Sequence, residues 1–202
     1  MEQSINMITL RGSLCELPRF SHENHGRRFW RFNLEVPRLS GAVDILPIVA
    51  EEALVMGIRP CEGSMLTVTG QIRSHNQRDE TGRHLLIFVF AASVTAEEGE
   101  PINDVILEGP ICKEPTFRRT PLGRQICDAM LAVPRAFRRA DYLPCILWGR
   151  TAQEISRCTV RDRIQLTGRL QSRIYTKYLD GIPQERTAYE ISALTAAPLT
   201  DE

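Results

Sequence analysis

The sequence lacks the features that mark common classes of enzyme and membrane protein. No apolar run among its 202 residues approaches the ~20 residues that a membrane-spanning helix needs. There is no glycine-rich phosphate loop, and no Ser-His-Asp or Cys-His order stands in a context typical of catalysis. The N-terminus has no basic segment followed by an apolar core, so we expect no secretory signal and a cytoplasmic, nucleoid-associated protein. We expect neither catalytic residues nor a cofactor.

Paired cysteines are also missing. The six cysteines stand singly at positions 15, 61, 112, 127, 145 and 158. Without a CxxC pair, a zinc ribbon or a thioredoxin-like site is not expected, and several cysteines inside apolar runs favour buried free thiols. His22 and His25 have a spacing that could ligate a metal, but no Cys or carboxylate cluster supplies the remaining ligands of a closed site. We therefore predict a polar loop there and no metal site.

Lysine is scarce, and Lys113 and Lys177 are its two positions. A net charge of zero is mild evidence against a strong duplex-DNA binder. The charge is uneven, however: residues 1–100 hold 10 Lys and Arg against 13 Asp and Glu, a net −3, and residues 101–202 hold 15 against 12, a net +3. Arginine combines a flat stacking face with a planar fork for phosphate, which suits nucleic acid. An arginine-biased composition explains the same count equally well.

The chain repeats itself at an interval of 97 residues. Gly12 recurs as Gly109, and the tripeptide Val36-Pro37-Arg38 recurs as Val133-Pro134-Arg135. Other matches at the same interval include Asn6 with Asn103, Cys15 with Cys112, Gly26-Arg27 with Gly123-Arg124, and Leu46-Pro47 with Leu143-Pro144. One constant interval is hard to obtain by chance, so we predict two copies of one ~100-residue domain. The predicted division is 1–96 for the first domain, 97–102 for an acidic linker and 103–202 for the second domain.

Each copy reads as five strands with one short helix between the third and fourth. In the second copy the strands are predicted at 103–112, 124–135, 141–148, 163–175 and 186–195, with the helix within 149–158. In the first copy they are predicted at 7–15, 28–38, 44–50, 65–75 and 84–95. This order is that of the OB fold, a small Greek-key barrel, although it does not exclude another small barrel. We expect an all-β, tandem OB-fold chain with Ile164, Leu166, Leu170 and Ile174 in the second core and Leu66, Val68 and Ile72 in the first.

Aromatic and guanidinium groups recur along the strands of the second copy. Tyr142 and Trp148 are an even number of residues apart, so they share one face of a strand. Tyr175 and Tyr178 flank a polar hairpin and are expected to be exposed. In the first copy the run from Arg27 to Phe32 interleaves arginines with rings; Arg28 and Trp30 share one of its faces with Phe32. Rings stack on bases and arginines contact phosphates, so the pattern is typical of a single-strand platform.

These residues resemble the bacterial single-stranded DNA-binding protein family, in its variety with two OB folds per chain. The resemblance is carried by Asn103–Gly109, Leu131–Arg135, Ile146–Ala152, Leu166–Leu170 and the Arg173-x-Tyr175 that follows. The first copy resembles the family more weakly, and it has Glu51 where the second has Trp148. The resemblance implies a non-enzymatic protein that coats single-stranded DNA without strong sequence preference in replication, recombination or repair. It also implies a homodimer presenting four barrels, with possible replication and recombination partners.

Site residues follow from the matching motifs. The resemblance implies stacking by Tyr142, Trp148, Tyr175 and Phe137, and phosphate contacts by Arg135, Arg138, Arg139, Arg173 and Lys177. Tyr178, Trp30, Arg28 and Arg38 complete the predicted single-stranded DNA-binding set. The family usually ends in a flexible tail with an acidic tip, whereas this sequence reads Pro198-Leu199-Thr200-Asp201-Glu202, so recruitment through such a tip is not expected. The alternative is an OB-fold interaction module, an oligomerising or primosome-type accessory factor with weak or no DNA binding.

Overall fold

The computed structural model describes residues 5–79, 82–179 and 181–199, and these are almost entirely β-structure. The first repeat contains β1 (Asn6–Leu14), β2 (Arg19–Asn24), β3 (Arg27–Pro37), β4 (Val43–Glu51), α1 (Glu52–Met56), β5 (Met65–Asp79) and β6 (Gly82–Ala96). The second contains β7 (Ile102–Arg119), β8 (Gln125–Arg135), β9 (Arg139–Trp148), α2 (Gly149–Ile155), β10 (Arg163–Leu179) and β11 (Ile182–Pro198). Each repeat therefore has its helix between the third and fourth barrel strands, as predicted.

The strands of each repeat close into a barrel. In the second repeat β7 pairs with β8, β8 with β9, β9 with β11 in parallel, β11 with β10, and β10 returns to β7. In the first repeat the same circuit runs through β1, β3, β4, β6 and β5. Closure leaves no open barrel edge and confirms the tandem OB fold. β2 lies outside the circuit as an added strand paired with β3.

Strand alternation places the core. Along β9 every second residue from Asp141 to Leu147 is buried, and the residues between them face outward. Six of the seven predicted core residues are buried: Leu66, Val68, Ile72, Ile164, Leu166 and Leu170. The prediction for Ile174 was wrong, since its side chain is 69% exposed. β10 and β11 remain paired as far as Leu179 and Ile182, so Ile174 belongs to a hairpin arm that extends past the barrel interior.

Matching glycines make the two barrels possible. Gly70 in β5 and Gly168 in β10 occupy equivalent places, 98 residues apart. A Cβ on Gly70 would collide with the carbonyl oxygen of Phe90, and a Cβ on Gly168 with that of Ser192. Because the backbones approach this closely, no larger residue fits without moving the neighbouring strand. Both repeats therefore have glycine at this position because the strands of a small barrel coil sharply and approach each other closely there.

By their contacts the residues group into two compact units that do not follow the repeats completely. Among the described residues, one unit contains 7–73 and 87–104, and the other contains 5–6, 74–79, 82–86, 105–179 and 181–199. β6 ends at Ala96 and β7 begins at Ile102, so the segment predicted as a linker, 97–102, contains the connection between these strands and the first residue of β7. The contacts instead place the arm of the β5–β6 hairpin in the unit of the second barrel.

The thiols are free, as predicted, but only half of them are buried. Cys127, Cys145 and Cys158 are buried, Cys112 is half-buried, and Cys15 and Cys61 are exposed. Burial raises the pKa of the Cys127 thiol to about 11 and raises that of Cys145 further. Of the helices in the described ranges, none has the length and apolar character needed to cross a membrane.

Candidate nucleic-acid interface

The outward face of β9 carries the two aromatic side chains that the sequence singles out. Tyr142 is 43% exposed and Trp148 is 40% exposed, while Asp141, Leu143 and Leu147 on the opposite face are buried. Both rings therefore lie on one face, as predicted from their spacing. At about 3.3 Å per strand residue, six residues separate their backbones by about 20 Å.

The sheet beneath Trp148 fixes where its ring can lie. On β8 the residue directly opposite is Ile126, which is buried although it points outward. The indole Nε1–H donates to the Ser192 hydroxyl on β11, with 3.1 Å between the heavy atoms. Gly149, the first residue of α2, has a φ of +56°, and this left-handed turn is one that a side chain would strain. Trp148 is thus held between two neighbouring strands with part of its surface open.

The start of β9 is held by a buried carboxylate. Asp141 is fully buried, and its Oδ1 accepts hydrogen bonds from Arg135 Nη1 at 3.3 Å and from the Ser74 backbone N–H at 2.8 Å. The backbone N–H of Tyr142 in turn donates to Ser74 Oγ at 2.7 Å. Arg135, predicted to contact phosphate, therefore also pins the strand that carries Tyr142. Ser74 is a site residue that the sequence did not reveal.

The β8–β9 turn presents a ring and two cations. Phe137 is 93% exposed, and Phe137 and Arg138 have φ values of +61° and +54°. Bulky residues rarely adopt this conformation, and such strain concentrates at functional sites. Within the described part of the chain, Arg138 and Arg139 have no ion-pair partner. This turn therefore places an exposed ring and two exposed arginines at the start of β9.

The β10–β11 hairpin carries its two tyrosines on opposite faces. Leu170 points into the core, so Tyr175, an odd number of residues away, continues the outer face, and Tyr178 lies on the other side. The Arg173 guanidinium lies 5.7 Å from the Tyr175 ring centroid and 3.8 Å from a Glu190 carboxylate oxygen. Tyr178 is 70% exposed. Lys177 is half-buried on the Tyr175 face.

Besides Arg173 and Glu190, the outer face of the second barrel carries another arginine–carboxylate pair, Arg118 and Asp128, which was not predicted. Arg118 Nε lies 2.5 Å from Asp128 Oδ2, and this hydrogen bond raises the pKa of the guanidinium. Asp128 is opposite Ile146, between the two aromatic positions of β9. The face therefore combines rings with carboxylates that already have arginine partners. Nothing in the spacing of residues along the chain distinguishes these arginines from solvated ones.

The first repeat arranges similar residues around an acid. Trp30 Nε1 donates to Glu52 Oε1 at 3.2 Å, and Arg28 Nη1 lies 2.8 Å from the same oxygen. Arg28 also lies over the Phe20 ring, which packs edge-on against Trp30 at 6.4 Å. Arg27 pairs with Glu51, the residue that matches Trp148. Both predicted site residues here are thus bound to a carboxylate on α1.

Arg38 has a partner of the same kind as Arg135. Its guanidinium binds Asp44, a buried residue, at two points. The predicted polar loop around His22 and His25 is a β-hairpin, with His22 on β2 stacked on Phe29 at 4.9 Å. Within residues 5–79, 82–179 and 181–199 there is no group of three or more His, Cys, Asp or Glu that could hold a metal.

Comparison with known proteins identifies the family. The profile of the single-strand binding protein family matches residues 102–199. Single-stranded DNA-binding protein B of Bacillus subtilis is 35% identical over 80 residues, which are 36% of this chain and 71% of that protein. The chain belongs to the single-strand binding protein family. Single-stranded DNA-binding protein 1 of Lactococcus lactis is 33% identical over 81 residues, or 37% of this chain and 54% of that protein.

The family match centres on the second repeat, and the chain spans about half the length of the Lactococcus lactis relative. The fold of both repeats has a solved counterpart. The crystal structure of the wild-type single-stranded DNA binding protein from Thermus aquaticus covers all of this chain and 96% of its own, with a TM-score of 0.82 and 20% identity. This likeness shows the fold of the chain.

Proposed function

We propose that this protein binds single-stranded DNA without strong sequence preference along the outer face of its second barrel. The observation that carries the proposal is the exposed pair Tyr142 and Trp148 on one strand. Each base stacked on an aromatic ring contributes about 1–3 kcal/mol and does so for any base, because every base has a flat face. The protein carries out no chemistry on the strand. It coats exposed strands in the cytoplasm during replication, recombination or repair.

Cations on both sides of the aromatic pair complete the proposed path. Arg138 and Arg139 at the β8–β9 turn contact phosphates next to Tyr142, with Phe137 as an additional stacking ring. Arg173 and Lys177 do so beside Tyr175 on the hairpin. Arg135 contributes mainly by fixing the start of β9, since its guanidinium binds the buried Asp141. Such contacts release counterions, so affinity falls as salt is raised.

The first barrel has a different role in this proposal. In this barrel Glu52 pairs with the cation of Arg28 and accepts the hydrogen bond of Trp30. Glu51 stands where the second barrel has Trp148. We assign this barrel mainly to holding the protein as a homodimer, with four barrels in the assembly. Light scattering tests this assignment, because a dimer has twice the chain mass of 22.9 kDa, or 45.8 kDa. A 22.9 kDa particle with and without oligonucleotide contradicts it.

The test of DNA binding compares the two tryptophans. Fluorescence anisotropy of a labelled oligo-dT, at low salt, gives the affinity of the full chain and of Trp148→Ala and Trp30→Ala. Loss of one stack predicts a weakening of about 5-fold to 100-fold for Trp148→Ala and a smaller effect for Trp30→Ala. No binding by the parent protein sinks the proposal, and equal effects reverse the ranking of the two barrels.

The neutralised cluster of the first barrel also favours a second candidate, an interaction module that docks replication or recombination proteins. The discriminating experiment is capture of such proteins on the immobilised chain after nuclease has removed all DNA. Retention of a partner by a variant that no longer binds oligo-dT supports docking as a separate function. Loss of every partner on nuclease treatment leaves strand binding as the activity.

A further inference from the structure

In both tryptophans of this chain the indole N–H donates a hydrogen bond to a side-chain oxygen of the protein. Trp148 Nε1 donates to Ser192 Oγ at 3.1 Å, and Trp30 Nε1 donates to Glu52 Oε1 at 3.2 Å. In each repeat the indole N–H is therefore occupied within the protein. Trp148 is 40% exposed, so a nucleotide can reach part of this side chain but does not find a free indole N–H there.

We propose that Ser192 is a positioning residue of the strand-binding face, which orients the Trp148 indole for stacking. The inference rests on the proposed function. A partly exposed tryptophan without this bond has several staggered rotamers open to it. Binding a base would then have to order the ring, at a cost in free energy that lowers affinity. The hydrogen bond removes that cost by holding the ring before the strand arrives.

The fold places the Ser192 hydroxyl accurately. Ser192 is paired with Ile146 where β11 runs parallel to β9, two residues before Trp148 on the neighbouring strand. Behind it lies Gly168, whose missing side chain allows β10 to approach the Ser192 carbonyl oxygen. The register of β10 against β11 shifts at this point, between Thr167 and Gly168. A short side chain with a single torsion angle therefore projects from a backbone fixed on both sides.

The identity of the acceptor also matters. In the first repeat the indole acceptor is the carboxylate of Glu52, which adds a negative charge beside the ring and binds Arg28. A serine hydroxyl satisfies the same N–H without adding charge. Phosphates of a strand stacked on Trp148 are thus not repelled by the group that orients the ring. The two indoles therefore differ in their acceptor: Trp148 is oriented by the neutral Ser192, whereas Trp30 is oriented by the charged Glu52.

The experiment is a double-mutant cycle on the full chain, read by anisotropy of labelled oligo-dT. Ser192→Ala is expected to weaken binding about threefold to tenfold, the range that corresponds to ordering one side chain on binding. Ser192→Thr keeps the hydroxyl and is expected to stay within about twofold of the parent. Ser192→Asp keeps an acceptor but adds charge, so it should bind more weakly than Ser192→Ala and recover part of the difference at high salt.

The decisive arm uses Trp148→Phe, which retains a ring but has no N–H to hold. In that background Ser192→Ala should change affinity by less than about twofold, since the interaction is already absent. An equal effect of Ser192→Ala with Trp or Phe at position 148 overturns the positioning role, because the serine would then act through the fold. Ser192→Cys provides a second, isosteric variant with a weaker acceptor, and thermal unfolding verifies that each variant is folded.

A direct readout of ring mobility completes the test. In a Trp30→Phe background the fluorescence of Trp148 can be followed alone, and Ser192→Ala should lower its anisotropy in the absence of DNA. An unchanged anisotropy overturns the inference. The failure of this proposal is distinguishable from failure of the proposed function. If Trp148→Ala leaves oligo-dT binding intact, the proposed function fails. If Trp148→Ala loses binding and Ser192→Ala has no effect, only the positioning role of Ser192 is rejected.

Discussion

Arg38 holds the carboxylate of Asp44 at two points, with its Nε 2.8 Å from Oδ2 and its Nη2 2.6 Å from Oδ1. The same pair of residue types recurs 97 residues later as Arg135 and Asp141, where Arg135 Nη1 lies 3.3 Å from Asp141 Oδ1. In both repeats the acid is buried, and the arginine lies at or just beyond the end of the second barrel strand. The matching Val-Pro-Arg tripeptides are therefore a signature of barrel construction, whatever these arginines add to strand binding.

The first prediction concerns this buried pair. Arg38→Leu leaves Asp44 without its two-point partner inside the protein, and we expect a loss of about 3 kcal/mol in the free energy of unfolding. Urea denaturation measures it. Arg139→Leu is the matched control, since that arginine is exposed and without an ion-pair partner in the described ranges; its effect should stay below about 0.5 kcal/mol. Similar losses for the two variants would show that the pair contributes nothing special.

The second prediction concerns phosphate contacts at the β8–β9 turn. Each phosphate neutralised on a single strand contributes about 0.7 to the slope of log affinity against log salt. Arg138→Ala combined with Arg139→Ala should therefore reduce that slope by about 1.4, and the affinity difference from the parent should shrink at high salt. Arg118→Ala serves as the control, because Arg118 is already paired with Asp128. A salt dependence that is the same in the double variant and the parent rejects the contact.

The alternation of apolar residues in the sequence predicts the barrel strands, because these strands bury one face. It does not predict strands that bury no side chains. β9 alternates strictly between buried and outward residues, and its predicted bounds differ from the observed ones by only two residues. β2 was missed because its six residues are all exposed or half-exposed, and the strand pairs with β3 without burying a side chain. In the arms of β10 and β11 beyond the barrel, the predicted strands stop at 175 and start at 186, whereas the observed strands reach Leu179 and Ile182, for the same reason. Pairing without burial leaves no hydrophobic period to detect.

The candidate site was predictable to the extent that it depends on strand faces. The spacing of Tyr142 and Trp148 is sufficient to place both rings on one face of a strand, and the structure shows that this face is the outer one. The partners that hold them are not local in sequence: Ser192 is 44 residues from Trp148, and Ser74 is 68 residues from Tyr142. Serines of this kind become visible only when the barrel closes and brings distant strands together.

The third prediction concerns thiol reactivity. Burial raises the pKa of Cys127 to about 11 from a model-compound value of 9.0, so its reactive thiolate is scarce near neutral pH. Maleimide at pH 7.5 should label the exposed Cys15 and Cys61 first and reach Cys127 and Cys145 only in urea. Because the folded-state pKa is raised, the stability linked to Cys127 is complete below pH 9 and declines as the pH rises toward 11. Peptide mass spectrometry resolves the order, and early labelling of Cys145 would contradict it.

The fourth prediction separates the two hairpin tyrosines. Tyr175 lies on the outer face with Arg173, whereas Tyr178 lies on the opposite face of the same two strands. If the strand follows one face, Tyr175→Ala should weaken oligo-dT binding by about 5-fold to 100-fold, and Tyr178→Ala by less than about twofold. Tyr175→Phe retains the ring and should bind like the parent. Equal losses for the two alanine variants would mean that the strand wraps around the hairpin.

The last prediction asks whether the acid on α1 keeps the first barrel from binding. Glu52→Gln retains an oxygen to accept the Trp30 N–H but removes the charge that binds Arg28. The released guanidinium should raise oligo-dT affinity by about twofold to fivefold at low salt, with the gain lost as salt screens the phosphate contact. Stability should change by less than about 1 kcal/mol, since the Arg28 side chain is half-exposed and such pairs contribute little. Glu154→Gln is the matched control, because it neutralises an arginine-paired acid on α2 and changes the net charge equally. If both variants gain the same affinity, the increase comes from overall charge. The residues around Trp30, namely Arg28 and Phe20, then do not form a binding site for DNA when Glu52 is neutral.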